Sequence, residues 1–102
     1  MPYLVFFRDD AEADEPYRSF SEYDENRREL RRAEFYRGGA SFAYGPEFEN
    51  TDALRREPFP QDLQELTEDG AVRVLPVEAS DFYHAWETAC SRSEGDIMSL
   101  LC

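Results

Sequence analysis

An excess of carboxylates constrains this chain more than any other feature of its sequence. Its 102 residues include 23 aspartates and glutamates against 11 basic residues, so the formal net charge is −12. Every basic residue is arginine, and lysine is absent. Self-repulsion at this charge opposes compaction, and a domain of this length buries only about two-thirds of its unfolded surface. We therefore expect a single domain over 1–102, with a modest core built from large aromatic side chains.

The same charge disfavours several classes of partner. Phosphates of DNA, RNA and anionic membranes repel a protein of this sign, so a basic protein partner is favoured over direct nucleic-acid or membrane binding. No stretch approaches the roughly 20 apolar residues that span a bilayer, and the N-terminal apolar run lacks the basic leader of a secretory signal. Cys90 and Cys102 are too few for a disulfide framework, so we expect free thiols and a cytoplasmic location.

Three segments have the composition of β-strands. Tyr3 to Phe7 are a continuous run of β-formers, which predicts a strand buried on both faces. Residues 72–77 form a second such run, and residues 40–44 alternate between large and small side chains as a half-buried strand does. Gly38-Gly39 precedes the third segment and acts either as a breaker or as a hairpin turn between 35–37 and 40–44.

Helical patterns fill three further segments. Ser19 and Glu22 have capping-box spacing, and opposite charges follow at i,i+3 and i,i+4, which predicts a helix over about 19–36. Pro60 favours the start of a short helix that ends before Gly70. Ser80 is placed to cap a last helix, in which apolar residues recur at i, i+3, i+4, i+7 and i+8. These apolar residues are Phe82, Ala85, Trp86, Ala89 and Cys90.

The predicted order is strand, helix, strand, short helix, strand, helix. It indicates an α+β fold, with a small sheet of three or four strands and two to three helices packed on it. The irregular connection over 45–59 disfavours parallel βαβ units. The apolar tail from Ile97 to Leu101 either closes the core or presents a patch to a partner.

No residues have the spacing of a catalytic or metal centre. The one histidine, His84, precedes Cys90 by six residues, or about 600° around a helix, so the two side chains point to different sides. The sequence has neither CxxC nor HxxxH zinc spacing, no EF-hand calcium loop, and no phosphate-binding loop around Gly38-Gly39. We therefore expect no catalytic residues, no metal and no cofactor, and a protein that is not an enzyme.

The negative charge is concentrated in loops and in the second half of the chain. Residues 9–15 hold five acids in seven positions; if extended, they would carry one charge per roughly 4.6 Å, comparable with the ~3.4 Å of one DNA strand. Such a row could imitate a phosphate backbone and bind the basic groove of a nucleic-acid-binding complex, although a solvated loop that aids solubility is the alternative. The predicted partner-binding residues are Asp9, Asp10, Glu12, Asp14, Glu15, Glu47, Glu49, Asp52, Asp62, Glu65, Glu68 and Asp69.

Arginines 27, 28, 31 and 32 form a second candidate surface, because guanidinium groups can pair with carboxylates of a partner. Salt bridging within the predicted helix is the alternative. Four tyrosines are candidate aromatic anchors for an interface, with core packing as the alternative. They are Tyr17, Tyr36, Tyr44 and Tyr83.

In size and charge the chain resembles the small acidic inhibitors that phages use against bacterial nucleases, including anti-CRISPR proteins. This resemblance implies a non-enzymatic inhibitor that blocks a basic, nucleic-acid-binding surface of a partner protein. One alternative is an immunity or antitoxin protein that neutralises a toxin with a similar acidic face. Another is a housekeeping domain of a salt-adapted organism, whose acidity requires no partner.

Overall fold

The computed structural model describes residues 2–68 and 70–92. Within them, five strands and one α-helix are present, together with three short 3-10 turns between β4 and β5. The strands are β1 (Tyr3–Phe7), β2 (Arg18–Tyr23), β3 (Glu29–Phe35), β4 (Ser41–Tyr44) and β5 (Arg73–Pro76), and the helix is α1 (Ala79–Arg92). The 3-10 turns are Pro46–Phe48, Thr51–Ala53 and Leu63–Leu66.

All five strands form one antiparallel sheet in the order β4-β3-β2-β1-β5. Strands β1 to β4 follow one another as a meander, and β5 returns to the free edge of β1. α1 packs on one face, chiefly over β2, β3 and β4, while the long β4–β5 connection reaches the other face through Phe59, whose ring lies 6.1 Å from that of Phe6. The prediction of three or four strands with two to three helices is therefore wrong: the described residues form five strands and one helix.

The predicted helix over 19–36 is instead the β2–β3 hairpin. Asp24 makes its turn, because the carboxylate accepts hydrogen bonds from the backbone N–H groups of Asn26 at 2.8 Å and Arg28 at 2.9 Å. Arg27 takes a left-handed φ of 66° in the same turn. Asp and Asn favour such turns because their side chains bond the local backbone. Glu22 consequently pairs with Arg31 across strands, and Arg32 pairs with Glu29 and Glu34 of its own strand.

The predicted strands at both ends of the sheet sequence and the predicted glycine turn agree with the structure. β1 spans the predicted residues, and β5 lies inside the run 72–77. The Gly38-Gly39 pair lies in the turn between β3 and β4, as the hairpin alternative predicts, and Gly39 has a φ of 99° that favours glycine. The short helix expected after Pro60 is wrong, since residues 60–68, the part of this segment that the structure describes, contain the 3-10 turn Leu63–Leu66 and no α-helix.

The apolar stripe of α1 forms the core, as its spacing predicts. Phe82, Ala85, Trp86, Ala89 and Cys90 are all buried. They pack against residues of the sheet that include Tyr3, Ala33, Phe35 and Ala43. Small side chains on β3 and on the edge strand β4, Ala33 and Ala43, allow close approach of the helix. The Phe82 and Trp86 rings stack with centroids 6.0 Å apart.

Both ends of α1 bear on the sequence predictions. The helix begins at Ala79, one residue before the predicted cap Ser80. Cys90 is buried in α1, whereas Cys102 and the tail from Ile97 to Leu101 lie outside the described residues. No helix in 2–68 or 70–92 is long and apolar enough to cross a membrane.

Candidate acidic interface

The β1–β2 loop carries the densest group of predicted binding residues. Its base is closed by a hydrogen bond from the Arg8 N–H to the Tyr17 carbonyl at 3.0 Å. The Glu15 N–H donates to the Glu12 carbonyl at 3.0 Å, and the Glu15 carboxylate accepts from the Glu12 N–H at 3.1 Å. The loop is therefore folded into tight turns, and the spacing of roughly 4.6 Å expected for an extended row does not hold.

The carboxylates of this loop differ in how much positive charge lies beside them. Asp9 is held by Arg73, 3.0 Å from its carboxylate, and by Arg37, which donates to its carbonyl at 2.6 Å. Three other carboxylates are exposed and form no ion pair with any residue in 2–68 or 70–92. They are Asp10, Glu12 and Asp14, and they carry the free negative charge of the loop.

A second predicted group, Asp62, Glu65 and Glu68, surrounds the 3-10 turn before β5. Arg8 joins this group to the loop, because its guanidinium lies 2.6 Å from the Glu68 carboxylate. That hydrogen bond raises the pKa of Arg8. The last member, Asp69, lies outside the described residues.

A third predicted group, Glu47, Glu49 and Asp52, lies at the opposite end of the strands. These residues follow β4 on the first two 3-10 turns, whereas the β1–β2 loop is level with the start of β4. Glu47 approaches Arg31 at 3.8 Å, and Glu49 and Asp52 are exposed. The structure thus brings the first two predicted groups together and separates the third.

Arginines 27, 28, 31 and 32 do not form the predicted surface cluster. Arg31 and Arg32 are neighbours on β3, so their side chains point to opposite faces of the sheet. Arg27 and Arg28 donate instead to backbone carbonyls in the 56–60 segment. Salt bridging within a helix is also wrong for these residues, because β2 and β3 replace that helix.

On the helix face, Arg31 lies between the sheet and α1. Its guanidinium carbon is 4.9 Å from the Trp86 ring centroid and 5.2 Å from that of Phe82. Its Nε donates to the Glu22 carboxylate at 2.6 Å, and one NH2 donates to the Tyr83 hydroxyl at 3.3 Å. Burial lowers the pKa of Arg31, but these two hydrogen bonds outweigh burial and hold the pKa above its ordinary value.

On the other face, Arg32 bridges two buried carboxylates. It lies 3.0 Å from Glu29 and 3.0 Å from Glu34, whose side chains are 1% and 12% exposed. Glu29 also accepts hydrogen bonds from the Ser21 hydroxyl at 2.6 Å and the Arg55 N–H at 2.7 Å. Sequence reasoning missed this network because it assigned these residues to a helix; the two-residue spacing of Arg32 and Glu34, with Ala33 between them, was the available signal.

The four candidate tyrosine anchors divide between packing and exposure. Burial, followed by a hydrogen bond to Glu34 at 2.9 Å, raises the pKa of Tyr36. Burial likewise raises the pKa of Tyr44, and Tyr17 is half-buried. Tyr83 is 42% exposed but accepts from Arg31. Tyr36 and Tyr44 are therefore partly buried beside Glu34, on the face of the sheet opposite α1.

The described residues also show whether other chemistry is present on the surface. His84 is exposed on α1. In the part of the chain that the structure describes, no group of three or more His, Cys, Asp or Glu residues could hold a metal ion.

Comparison with known proteins finds one family. The family model described as Domain of unknown function (DUF6881) matches residues 3–91, which include all five strands and nearly all of α1. No curated protein and no solved structure matches the chain. The surface is therefore interpreted from its own geometry.

Proposed function

The chain belongs to the DUF6881 family, and we propose that it is a non-enzymatic binding protein whose acidic β1–β2 loop blocks a basic surface of a partner protein. That surface is one that otherwise binds nucleic acid. The supporting observation is that the arginines and the carboxylates of this loop differ in how often they bond within the fold. Most arginines are engaged within the fold, while Asp10, Glu12 and Asp14 are exposed without an ion pair in the described part of the chain.

Arginine side chains bond mainly to groups of their own chain. One set pairs with carboxylates; its members are Arg8, Arg31, Arg32 and Arg73. Another set donates to backbone carbonyls; its members are Arg27, Arg28, Arg37 and Arg55. Their positive charge is therefore partly used inside the fold, and a partner approaching the β1–β2 loop meets mainly carboxylates.

An apolar anchor lies at the same end of the sheet as the loop. Phe42, near the start of β4, is 44% exposed, and its ring packs edge-on against Tyr36 with centroids 5.6 Å apart. The β3–β4 turn beside it touches the acidic loop through Arg37 and Asp9. Interfaces concentrate their binding energy in such aromatic side chains, surrounded by polar residues. Phe42 and the loop together offer both components.

The expected energetics follow from exposure. Exposed ion pairs contribute about 0.2–1 kcal/mol each, so the three free carboxylates supply at most ~3 kcal/mol, and the apolar contact must supply much of the rest. The carboxylates act chiefly on the association rate, by steering a basic partner at low ionic strength. High salt should therefore slow binding more than it speeds dissociation.

We place the partner among nucleic-acid-handling complexes of the kind that phage inhibitors such as anti-CRISPR proteins block. A toxin neutralised by an immunity or antitoxin protein would present a similar basic surface. The identity of the captured partner distinguishes the two: a nuclease complex supports the first, and a toxin encoded beside this gene supports the second.

The experiment is affinity capture followed by kinetics with the purified partner at several salt concentrations. The test variant carries Asp10→Asn, Glu12→Gln and Asp14→Asn. The matched control carries Glu25→Gln, Glu57→Gln and Glu87→Gln, which removes the same charge from exposed positions outside the predicted groups. We expect the test variant to lose about tenfold or more in association rate, with little change in the control.

Two results would count against the proposal. Equal losses in the two variants would show that net charge, and not the loop, governs binding. Binding that is unaffected by salt would show that carboxylates do not carry the interaction. A third variant with Glu47→Gln, Glu49→Gln and Asp52→Asn asks whether the contact extends to the far end of the strands.

A further inference from the structure

A second surface lies on the helix face, where α1 leaves part of the sheet uncovered. α1 packs chiefly over β2, β3 and β4, so a groove of about 440 Å³ remains between the helix and the β1 side of the sheet. Its floor is apolar and formed by side chains of the first three strands. These are Val5, Phe7, Phe20 and Phe35.

Arg18 is the cation of this groove. It lies opposite Phe7 and Phe35 in the strand register, and its guanidinium carbon is 5.3 Å from the Phe35 ring centroid, 5.7 Å from that of Phe20 and 5.6 Å from that of Tyr17. Three rings thus surround one planar group. Such stacking fixes the orientation of the guanidinium.

The Arg18 side chain has no acceptor in the described part of the chain. Its Nε is buried and has no hydrogen-bond partner, and it forms no ion pair with residues 2–68 or 70–92. Arg31 is also stacked on aromatic rings, yet it pairs with Glu22. The guanidinium of Arg18 thus lines the groove with a positive charge that no described carboxylate neutralises.

The opposite wall of the groove is polar and belongs to α1. Asp81 and His84 are exposed there, and the Thr88 hydroxyl donates to the His84 carbonyl at 2.9 Å. The negative charge of Asp81 disfavours a multiply charged anion such as phosphate. A single guanidinium above an apolar floor instead suits a monoanion with an apolar body.

We propose that this groove binds a small amphipathic carboxylic acid. The carboxylate accepts hydrogen bonds from the terminal NH groups of the Arg18 guanidinium, and the hydrocarbon chain or ring lies on Phe7, Phe20 and Phe35. The volume of the groove falls within the ~300–1,000 Å³ of small-molecule sites. This site is separate from the acidic β1–β2 loop and does not depend on the function proposed for that loop.

The test compares octanoate with octanamide, which has the same chain but no charge. Titration of the full-length protein, followed by calorimetry and by the NMR signal of the Arg18 Nε–H, should show octanoate binding at least tenfold more tightly. The Nε–H resonance should shift as octanoate binds the terminal NH groups of the same guanidinium. This comparison needs no variant, so failure of a mutant to fold cannot obscure it.

Variants then locate the site. Arg18→Met should abolish the preference for octanoate over octanamide, while Arg56→Met, an exposed arginine outside the groove, should leave it unchanged. Asp81→Asn should tighten octanoate binding, because it removes a negative charge from the rim. Equal binding of acid and amide, or no binding at millimolar concentration, would overturn the proposal. So would an Nε–H signal that is already bonded and insensitive to octanoate, since another part of this chain or a second copy would then occupy the groove.

Discussion

Replacing Arg32 with methionine tests whether one guanidinium holds the second face of the sheet together. Arg32 lies 3.0 Å from each of two carboxylates, Glu29 and Glu34, and donates to the Ala53 carbonyl at 2.6 Å. Removing it leaves both carboxylates enclosed without their shared cation. Breaking a buried ion pair by removing one partner costs about 3–5 kcal/mol. Because the Arg32 side chain is 20% exposed, we expect the lower end, about 3 kcal/mol.

Urea unfolding measures this loss. The chain has one tryptophan, Trp86, which is buried between α1 and the sheet. Its fluorescence therefore reports on the core, while circular dichroism reports on secondary structure. With an m value near the middle of the usual range of about 1–3 kcal/mol/M, the midpoint should fall by roughly 1.5 M. The control is Arg56→Met, an exposed arginine whose replacement should change stability by less than about 0.5 kcal/mol.

A double variant makes the reasoning refutable even if the single variant is poorly folded. Adding Glu29→Gln to Arg32→Met removes one of the two stranded charges while keeping an acceptor for the Ser21 hydroxyl. The double variant should therefore be more stable than the single variant by about 1–2 kcal/mol. If Arg32→Met costs less than about 1 kcal/mol, or if the two losses simply add, the ion-pair network does not stabilise this face as argued.

Three further predictions use other parts of the fold. Gly45→Ala should destabilise the protein by about 1–3 kcal/mol in urea unfolding, because a Cβ would lie 3.2 Å from Trp86 and 3.1 Å from Arg31; Gly38→Ala, where a Cβ meets open space, is the control, and equal losses would contradict the packing argument. A hydrogen bond with Tyr83, followed by burial, raises the pKa of Tyr3 from 10.0 to about 12. The folded state therefore holds the phenol proton more tightly, so this contribution to stability is complete below pH 10 and is lost as the pH rises towards 12. Tyr3→Phe should reduce that loss when the free energy of unfolding is measured across this pH range. An unchanged slope of unfolding free energy against pH would show that Tyr3 is not the group responsible. Thermal unfolding should shift to higher temperature between about 10 and 300 mM salt as self-repulsion is screened, whereas a chain already unfolded at the lower concentration would support the salt-adapted alternative.

The sequence predicted best those elements whose pattern has a single interpretation. Five consecutive β-formers gave β1 its boundaries, and the spacing from Phe82 to Cys90 placed the buried face of α1. Neither pattern also fits the residue spacing of the other type of secondary structure. The location of Cys90 in the helix, with its side chain buried, follows from the same stripe.

The segment 19–36 was ambiguous because its charges fit two structures. Spacings of three and four residues between acids and arginines suit a helix, but other polar pairs, such as Ser19 and Ser21 or Arg32 and Glu34, lie two residues apart, as on one face of a strand. The turn signal was present in Asp24, whose carboxylate accepts hydrogen bonds from the backbone N–H groups of Asn26 and Arg28. Once those residues turn the chain, Glu22 lies opposite Arg31, and the charge pattern is satisfied across strands.

The candidate interface was only partly accessible from sequence. Composition alone identified 9–15 as an acidic loop, but the arginines that approach it come from distant positions. Arg37 reaches Asp9 across 28 residues, and Arg73 reaches it across 64. Those pairings depend on strand order, which no local pattern encodes. Strand order also places the acidic segment around Glu47 at the opposite end of the sheet from the acidic β1–β2 loop.

The absence of lysine has a structural consequence that links the two proposed surfaces. A guanidinium is planar and weakly hydrated, so it can be enclosed between aromatic rings and paired with a carboxylate, whereas an ammonium group is strongly hydrated and resists such burial. Arg31 and Arg32 show this use on opposite faces of the sheet. Cations drawn into the fold leave exposed carboxylates without partners, which gives the β1–β2 loop its charge. Arg18 differs from Arg31 and Arg32, because three rings surround it but no described residue accepts its hydrogen bonds. At this position, therefore, a bound carboxylic acid would supply the anion that a glutamate supplies to Arg31 and Arg32.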